Sequence, residues 1–281
     1  MIWLKNIKIC ISDFKQHLIE EEKAIATIEK YIRDINFFVK WIAGEELTKM
    51  TILKYKEYLI KNYAPASANS MLSSLNSFFE YNEWHNLKVK MVKIQRRIFT
   101  EKSRELTKSE YVRLLDVANK RKNKALYYLM QTICASGIRV SELKYITVEA
   151  LREKQAIIKC KGKMRVVILP DKLCKMLFRY SKDKKITSGS VFVSKKGKPL
   201  DRSSIWKMMK SICESAGVER DKVFPHNLRH LFARIYYSMQ KDIVRLADIL
   251  GHSSINTTRI YTMEAGEIHR MQIQNLGLLR I

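Results

Sequence analysis

The sequence is poor in acidic residues. Its 281 residues include 28 Asp and Glu against 53 Lys and Arg, which gives a formal net charge of +25 at pH 7. Such an excess promotes association with polyanions, of which nucleic acid is the most obvious. A general preference for lysine would produce the same composition without any such partner. Charge therefore favours a nucleic-acid-binding protein, and particular residues must decide the matter.

Glycine and proline are also scarce, with 9 and 4 residues. Because no low-complexity tract occurs either, we expect no long disordered region. No apolar run reaches the ~18 residues of a membrane span, and the N-terminus lacks the layout of a signal peptide. The five cysteines are odd in number and show no CxxC or metal-ligand spacing. We therefore expect a cytoplasmic protein with reduced thiols and no membrane contact.

The first part of the chain has the apolar spacing of helices. Residues 8–84 predict four of them, with Thr27 as the cap of the second and Pro65 at the start of the fourth. The aromatic side chains along these helices are expected in a core rather than as platforms for stacked bases. Residues 1–86 are therefore expected to form a small helical domain.

The second part of the chain, residues 106–281, is expected to form a larger domain. Thr107 and Glu110 have the spacing of a capping box ahead of an apolar run. Gly137 and Gly251 each follow a helical pattern, which is typical of a glycine that ends a helix. The pattern predicts a mainly helical domain.

One stretch of this domain has the pattern of a β-hairpin. Residues 156–158 and 165–169 are rich in β-branched side chains and flank a turn that contains Gly162. Residues 147–151 are a candidate for a third strand. The predicted fold class is therefore mainly α with a small antiparallel β-sheet.

Residues 87–105 lie between the two domains and carry many basic side chains with little acid. No helical stripe persists there, so we expect an exposed basic linker. Such a linker can act as a strap along a nucleic-acid backbone or as a merely soluble tether, and the strap is favoured. The expected DNA-binding residues of the linker are Lys88, Lys90, Lys93, Arg96 and Arg97.

The stretch Pro225–Arg234 combines an apolar and a basic helix face. His226, Arg229 and His230 share one side, because residues three and four apart are neighbours on a helix. A guanidinium can grip two oxygens of a phosphate, and imidazole exchanges a proton near neutral pH. Taken alone, the patch would more simply be a solvated basic surface.

Four short motifs followed by a tyrosine remove that ambiguity. They are ASGIRVSEL at residues 135–143, CKG at 160–162, HNLRH at 226–230 and LGH at 250–252, with Tyr261 after them. This combination resembles the tyrosine recombinase, or phage integrase, family over nearly the whole chain, in its simple Xer-like form without an arm-binding domain. The resemblance implies six catalytic residues, Arg139, Lys161, His226, Arg229, His252 and Tyr261, with Glu142 and His230 in support.

These residue types suit attack on a DNA phosphodiester. Arg139 and Arg229 can clamp the non-bridging oxygens where charge develops, and His252 can donate a further hydrogen bond. Tyr261 would be the nucleophile, and with an ordinary pKa of ~10 it requires proton removal or a strongly positive site. His226 can accept that proton or hold an oxygen.

The leaving 5′-oxygen needs a proton, which Lys161 can supply. Cys160 stands where the family usually has glycine, and the turn after Lys161 is shorter than common, so Lys163 remains an alternative acid. The motifs contain no carboxylate cluster suited to Mg²⁺. We therefore predict a reaction without a metal, cofactor or ATP.

The resemblance also implies how the protein is used. Double-stranded DNA with inverted-repeat core sites would bind a homotetramer, and strands would be exchanged through a 3′-phosphotyrosyl intermediate and a Holliday junction. By its amphipathic pattern the C-terminal tail, residues 268–281, either packs on its own domain or docks on a neighbour, and the resemblance implies that it packs on the adjacent protomer. Two alternatives are a type IB topoisomerase, which relaxes supercoils by the same cleavage, and a DNA-binding regulator that lacks the chemistry.

Overall fold

The computed structural model describes residues 2–93, 105–160, 163–252 and 254–261. The chain divides into two compact units, Met1–Arg96 and Arg97–Ile281, and each has its own apolar core. Among the described residues, no helix is long and apolar enough to cross a membrane. The architecture is mainly helical with one small antiparallel sheet, as the apolar spacing predicted.

The first unit contains the four predicted helices. They are α1 (Ile2–Glu20), α2 (Ile25–Ile42), α3 (Lys49–Asn62) and α4 (Pro65–Tyr81), followed by a 3₁₀ turn at His85–Leu87. Pro65 begins α4, where its missing N–H costs nothing. The expected cap at Thr27 is wrong, because α2 begins at Ile25 and Ala24 occupies the cap position without a side-chain bond.

Residues 87–93 belong to the first unit and are not wholly exposed, unlike the linker that we expected to begin at residue 87. Leu87 and Val89 are buried in the core of the first unit, 7% and 6% exposed. The Asn76 amide pairs with the backbone of Val89 at 2.8 and 3.0 Å, and Asn69 pairs in the same way with Val92 at 2.9 and 2.8 Å. The burial of Leu87 and Val89 was missed because two apolar residues that alternate with lysines do not form a long apolar stripe.

The second unit is built from helices around one hairpin. Its elements are α5 (Lys108–Lys120), α6 (Ala125–Ser136), a 3₁₀ turn (Val140–Tyr145), α7 (Val148–Arg152), β1 (Gln155–Cys160), β2 (Lys163–Ile168), α8 (Asp171–Asp183), α9 (Arg202–Lys210), a 3₁₀ turn (Arg220–Lys222), α10 (Pro225–Gln240), α11 (Ile243–Leu250), α12 (Ile255–Thr258) and a 3₁₀ turn (Arg259–Tyr261).

The sheet consists of β1 and β2, paired antiparallel from Gln155 opposite Ile168 to Cys160 opposite Lys163. A third strand at residues 147–151 is wrong. Thr147 forms only an isolated antiparallel bridge with Ser190. Its side chain accepts a hydrogen bond from the Ala150 N–H at 3.1 Å and caps α7.

Local capping signals in this unit are confirmed. Thr107 and Glu110 form the reciprocal capping box at the start of α5. Gly137 ends α6 and Gly251 ends α11, each with a φ of +62°. The left-handed conformation turns the chain sharply at both places. Arg139 and His252 therefore stand just beyond a helix end.

Candidate active site

Arg229 lies at the centre of the basic cluster of the second unit. Its side chain is carried by α10 and is only 1% exposed. One terminal nitrogen donates to the Gly137 carbonyl, and the other lies 2.6 Å from the Leu250 carbonyl and 3.1 Å from Nε2 of His252. Burial and the nearby Arg139 lower the pKa of Arg229 to about 10. The guanidinium is therefore still charged at neutral pH and is held from two helix ends.

Arg139 is fixed by a buried carboxylate. Glu142 accepts from the Arg139 backbone N–H at 2.9 Å and from its guanidinium at 3.0 Å. The other terminal nitrogen of Arg139 donates to the Gly251 carbonyl at 3.2 Å. Burial by itself would raise the pKa of Glu142, but these bonds and those of Arg165 outweigh it and lower the pKa. The Arg139 side chain remains 37% exposed, so it can still meet a ligand.

Arg165 is a member of this cluster that the sequence did not single out. It projects from β2, and its terminal nitrogens donate to Glu142 at 2.5 Å and to the Ile249 carbonyl at 2.9 Å. The signal in the sequence is one arginine among the apolar residues that follow Met164 in this strand. The contact of Arg165 with Ile249 could not be predicted from this signal, because Ile249 lies 84 positions further along the chain.

His252 is held in one tautomer. Its Nε2 faces an Arg229 nitrogen, which can only donate. Nε2 is therefore an acceptor, and the Nδ1 proton points to the Thr258 hydroxyl at 2.8 Å. Burial and the charge of Arg229 lower the pKa of His252 to about 4. In this arrangement His252 accepts a hydrogen bond from Arg229, and the hydrogen bond that we expected it to donate to a phosphate stays a prediction.

Tyr261 lies at the end of the described chain and is 5% exposed. Its ring contacts His230 edge-on, with centroids 4.9 Å apart, and is stacked near His252 at 6.2 Å. Burial raises the pKa of the Tyr261 phenol, while the adjacent Arg229 guanidinium, and more weakly Arg139, lower it. The phenol thus lies beside a buried cation and keeps its proton in the absence of a base.

The other two histidines of the site, His226 and His230, are also uncharged at neutral pH. Burial and the charge of Arg229 lower the pKa of His226. Burial and the neighbouring His226 lower the pKa of His230 to about 4. The two rings are 4.4 Å apart. Neutral imidazoles can accept protons, so both residues can serve a nucleophile that must lose one.

A cavity of about 340 Å³ opens next to these groups. Arg139, His226 and Arg229 contribute to its wall, and so do Arg202 and Trp206 from α9. Sequence reasoning missed the last two, since Arg202 belongs to no recognisable motif. Three arginines around one small cavity suit an anion such as a phosphate.

The structure brings together Arg139, Glu142, His226, Arg229, His230, His252 and Tyr261. Lys161, Arg96, Arg97 and the C-terminal tail lie outside the described residues. Lys88, Lys90 and Lys93 are exposed on the first unit. Within the described ranges, no three His, Cys, Asp or Glu side chains are grouped as metal ligands would be.

Comparison with known proteins identifies both parts of the chain. Residues 104–267 match the phage integrase family, and residues 11–86 match the phage integrase N-terminal SAM-like domain. The tyrosine recombinase XerA of Thermococcus kodakarensis is 30% identical over 263 residues, which cover 90% of this chain and 89% of the relative. The tyrosine recombinase XerD of Vibrio cholerae is 26% identical over 266 residues, 86% of each protein.

Solved structures show the same fold. A structure described as XerH site-specific recombinase bound to its difH substrate in a pre-cleavage complex matches with a TM-score of 0.69 and 21% identity, covering 92% of this chain and 83% of the other. At this level of identity the match supports the fold.

Proposed function

The chain belongs to the phage integrase family, and from that premise we propose that Tyr261 breaks and rejoins DNA strands through a covalent 3′-phosphotyrosyl intermediate. The protein is a tyrosine recombinase, as its relatives XerA and XerD are, and the XerH structure that it resembles is of a site-specific recombinase. Those relatives are recombinases, which favours strand exchange over the relaxation of supercoils. The observation that carries the assignment of Tyr261 is the position of its phenol beside the Arg229 guanidinium.

Arg139 and Arg229 are proposed to hold the scissile phosphate. Both line the same cavity, and both are already fixed by backbone carbonyls. Because these contacts preorganise the two guanidiniums, little reorganisation is needed when charge develops on the phosphate oxygens. Replacement of one such donor typically costs roughly 10²- to 10³-fold in rate.

The proposed cleavage balances in protons. The Tyr261 oxygen attacks phosphorus, the bond from phosphorus to the 5′-oxygen breaks, and the phosphate becomes esterified to tyrosine. The neutral imidazole of His226 accepts the phenolic proton. Lys161 or Lys163 supplies the proton that the departing 5′-oxygen takes up. Reversal of these steps reseals the strand and requires no ATP.

A covalent adduct on a nicked duplex tests the nucleophile. The DNA is selected from a random-sequence pool by binding to the protein, and the nick lets the short cleaved fragment diffuse away. Wild-type protein is expected to accumulate an adduct that survives denaturing electrophoresis, and Tyr261→Phe is expected to give none. Tyr127→Phe, on α6 of the second unit, serves as the matched control and should behave as wild type. An adduct with Tyr261→Phe would refute the assignment.

A sulfur substitution at the leaving oxygen tests the acid. A thiolate leaves without protonation, so loss of the true acid is rescued when the 5′-bridging oxygen is sulfur. We expect rescue for Lys161→Ala and none for Lys163→Ala. The reverse pattern would identify Lys163 as the general acid. If neither variant were rescued, neither lysine would be the general acid.

The assembly is proposed to be a homotetramer on double-stranded DNA with inverted-repeat core sites. The C-terminal segment, with Met271, Leu276 and Leu278 at amphipathic spacing, would bind a neighbouring protomer. An apolar groove of about 350 Å³ between α5, α6 and α10 supports this, since Phe232 and Met239 line it. A variant without residues 268–281 should still bind DNA but should sediment with fewer subunits than the wild-type complex. Unchanged assembly would contradict the role of the tail.

A further inference from the structure

The C-terminal end of α11 binds three arginines at three consecutive carbonyls. Arg165 donates to the Ile249 oxygen at 2.9 Å, Arg229 to the Leu250 oxygen at 2.6 Å, and Arg139 to the Gly251 oxygen at 3.2 Å. The last carbonyls of a helix have no partner within the helix and form the negative end of its dipole. Cations from β2, α10 and the turn after α6 all use this one helix end, and His252 follows it directly.

A single carboxylate links two of these cations. Glu142 is 4% exposed, and it binds Arg139 through one oxygen at 3.0 Å and Arg165 through the other at 2.5 Å. A buried carboxylate is costly unless it is paired and hydrogen-bonded. Arg165 therefore stabilises the charged Glu142 that in turn orients Arg139.

Gly251 shows how tightly Arg165 is packed against this turn. A Cβ on Gly251 would overlap the Cδ of Arg165, and the φ of +62° disfavours a side chain independently. The hairpin arginine thus sits directly on the turn that presents His252.

We propose that Arg165 is a positioning residue for DNA strand cleavage, which ties the β1–β2 hairpin to Glu142 and to the carbonyl end of α11. Arg165 is absent from the wall of the cavity, so its effect passes through Arg139 and the His252 turn. This inference rests on the proposed function, since it concerns the same reaction.

The experiment measures the single-turnover rate of adduct formation for Arg165→Met and Arg165→Lys. Both variants are expected to lose about 10- to 100-fold in rate. Loss of a group that orients a metal-binding side chain has an effect of this size, and Arg165 orients Arg139 in a comparable way. DNA affinity should change by less than about twofold, because Arg165 contacts no part of the cavity. Arg113→Met is the matched control, since Arg113 also donates to carbonyls in the same unit, those of Ala216 and Gly217 at 3.0 and 3.2 Å.

The pH profile separates positioning from a general structural role. The charged groups that face Glu142 are Arg139 from its own turn, Arg165 from β2 and Arg229 from α10. Loss of Arg165 removes one cation and raises the pKa of Glu142 from its lowered value. The acid limb of the rate profile should therefore move to higher pH in Arg165→Met. It should stay in place in Arg165→Lys, which keeps the charge, and in Arg113→Met.

The possible results distinguish failure of the proposed function from failure of the role of Arg165. A wild-type protein that forms no adduct through Tyr261 defeats the proposed function itself. A wild-type protein that cleaves, with Arg165→Lys and Arg165→Met cleaving as fast and with the same profile, overturns the role of Arg165 alone. If Arg165→Met does not fold, Arg165→Lys decides, because lysine can reach only one of the two partners. A normal rate for that variant contradicts the inference.

Discussion

Two histidines of the site are kept uncharged by their surroundings. Burial is the main cause for His230 and His252, and it lowers the pKa of each from 6.5 to about 4. In the unfolded chain both take up a proton near pH 6.5, whereas in the folded protein they do so only near pH 4. The unfolded state therefore binds more protons between these values, and stability falls as the pH drops through this window.

We predict that the melting temperature of the second unit decreases by several degrees between pH 7 and pH 5. His230→Gln should flatten this dependence, because its side chain does not titrate. His85→Gln, at an exposed position of the first unit, is the matched control and should leave the dependence unchanged. Equal pH dependence in the wild type and in His230→Gln would show that His230 does not titrate as described.

The turn after α6 has a requirement for glycine that the helix alone does not explain. The Gly137 carbonyl accepts from Arg229, and a Cβ at Gly137 would lie 2.6 Å from the Phe232 ring. We predict that Gly137→Ala costs at least about 2–3 kcal/mol of stability, from strain at a positive φ together with overpacking. Chemical denaturation of the folded protein measures this cost.

Gly217→Ala separates the two contributions. Gly217 has a similar φ of +58°, but nothing lies within 4 Å of the added Cβ. This control should therefore cost only the backbone term, about 1 kcal/mol. It should also leave strand cleavage unchanged, whereas Gly137→Ala should slow it by displacing Arg229. Equal costs for the two variants would mean that Phe232 moves aside freely.

Elements with local signals could be predicted from the sequence. Pro65, the Thr107 capping box and the two helix-ending glycines interact with residues close to them in sequence. A local sequence pattern is therefore enough to predict them. The predicted strand at residues 147–151 was wrong because a β-branched residue such as Thr147 suits a strand and a helix cap equally. Arg165 was missed because its partners are distant in sequence and only the folded hairpin brings them together.

At the scale of the whole molecule, the excess of positive charge and the fold both indicate that the partner is DNA. The charge of +25 is a property of composition and predicts no position. In the first unit, however, burial alternates along residues 87–90, so Leu87 and Val89 face the core while Lys88 and Lys90 face outward. The Lys88 ammonium is paired with Glu80, and the pinned backbone holds the starting points of these lysine side chains at fixed spacing. That is better suited to a phosphate backbone than a loose tether would be.

The last prediction concerns the salt dependence of DNA binding. With six to ten phosphate contacts, affinity should fall by roughly 10³- to 10⁵-fold between 50 and 200 mM salt. Replacing Lys88, Lys90 and Lys93 together by glutamine should reduce the slope of log affinity against log salt by up to about 2.7, roughly 0.9 for each phosphate that is no longer neutralised. Replacing Lys15, Lys40 and Lys61, which are exposed on helices of the same unit, changes the net charge equally and serves as the control. Equal slopes for the two triple variants would show that only net charge matters, and the DNA-binding role of residues 88–93 would then be refuted.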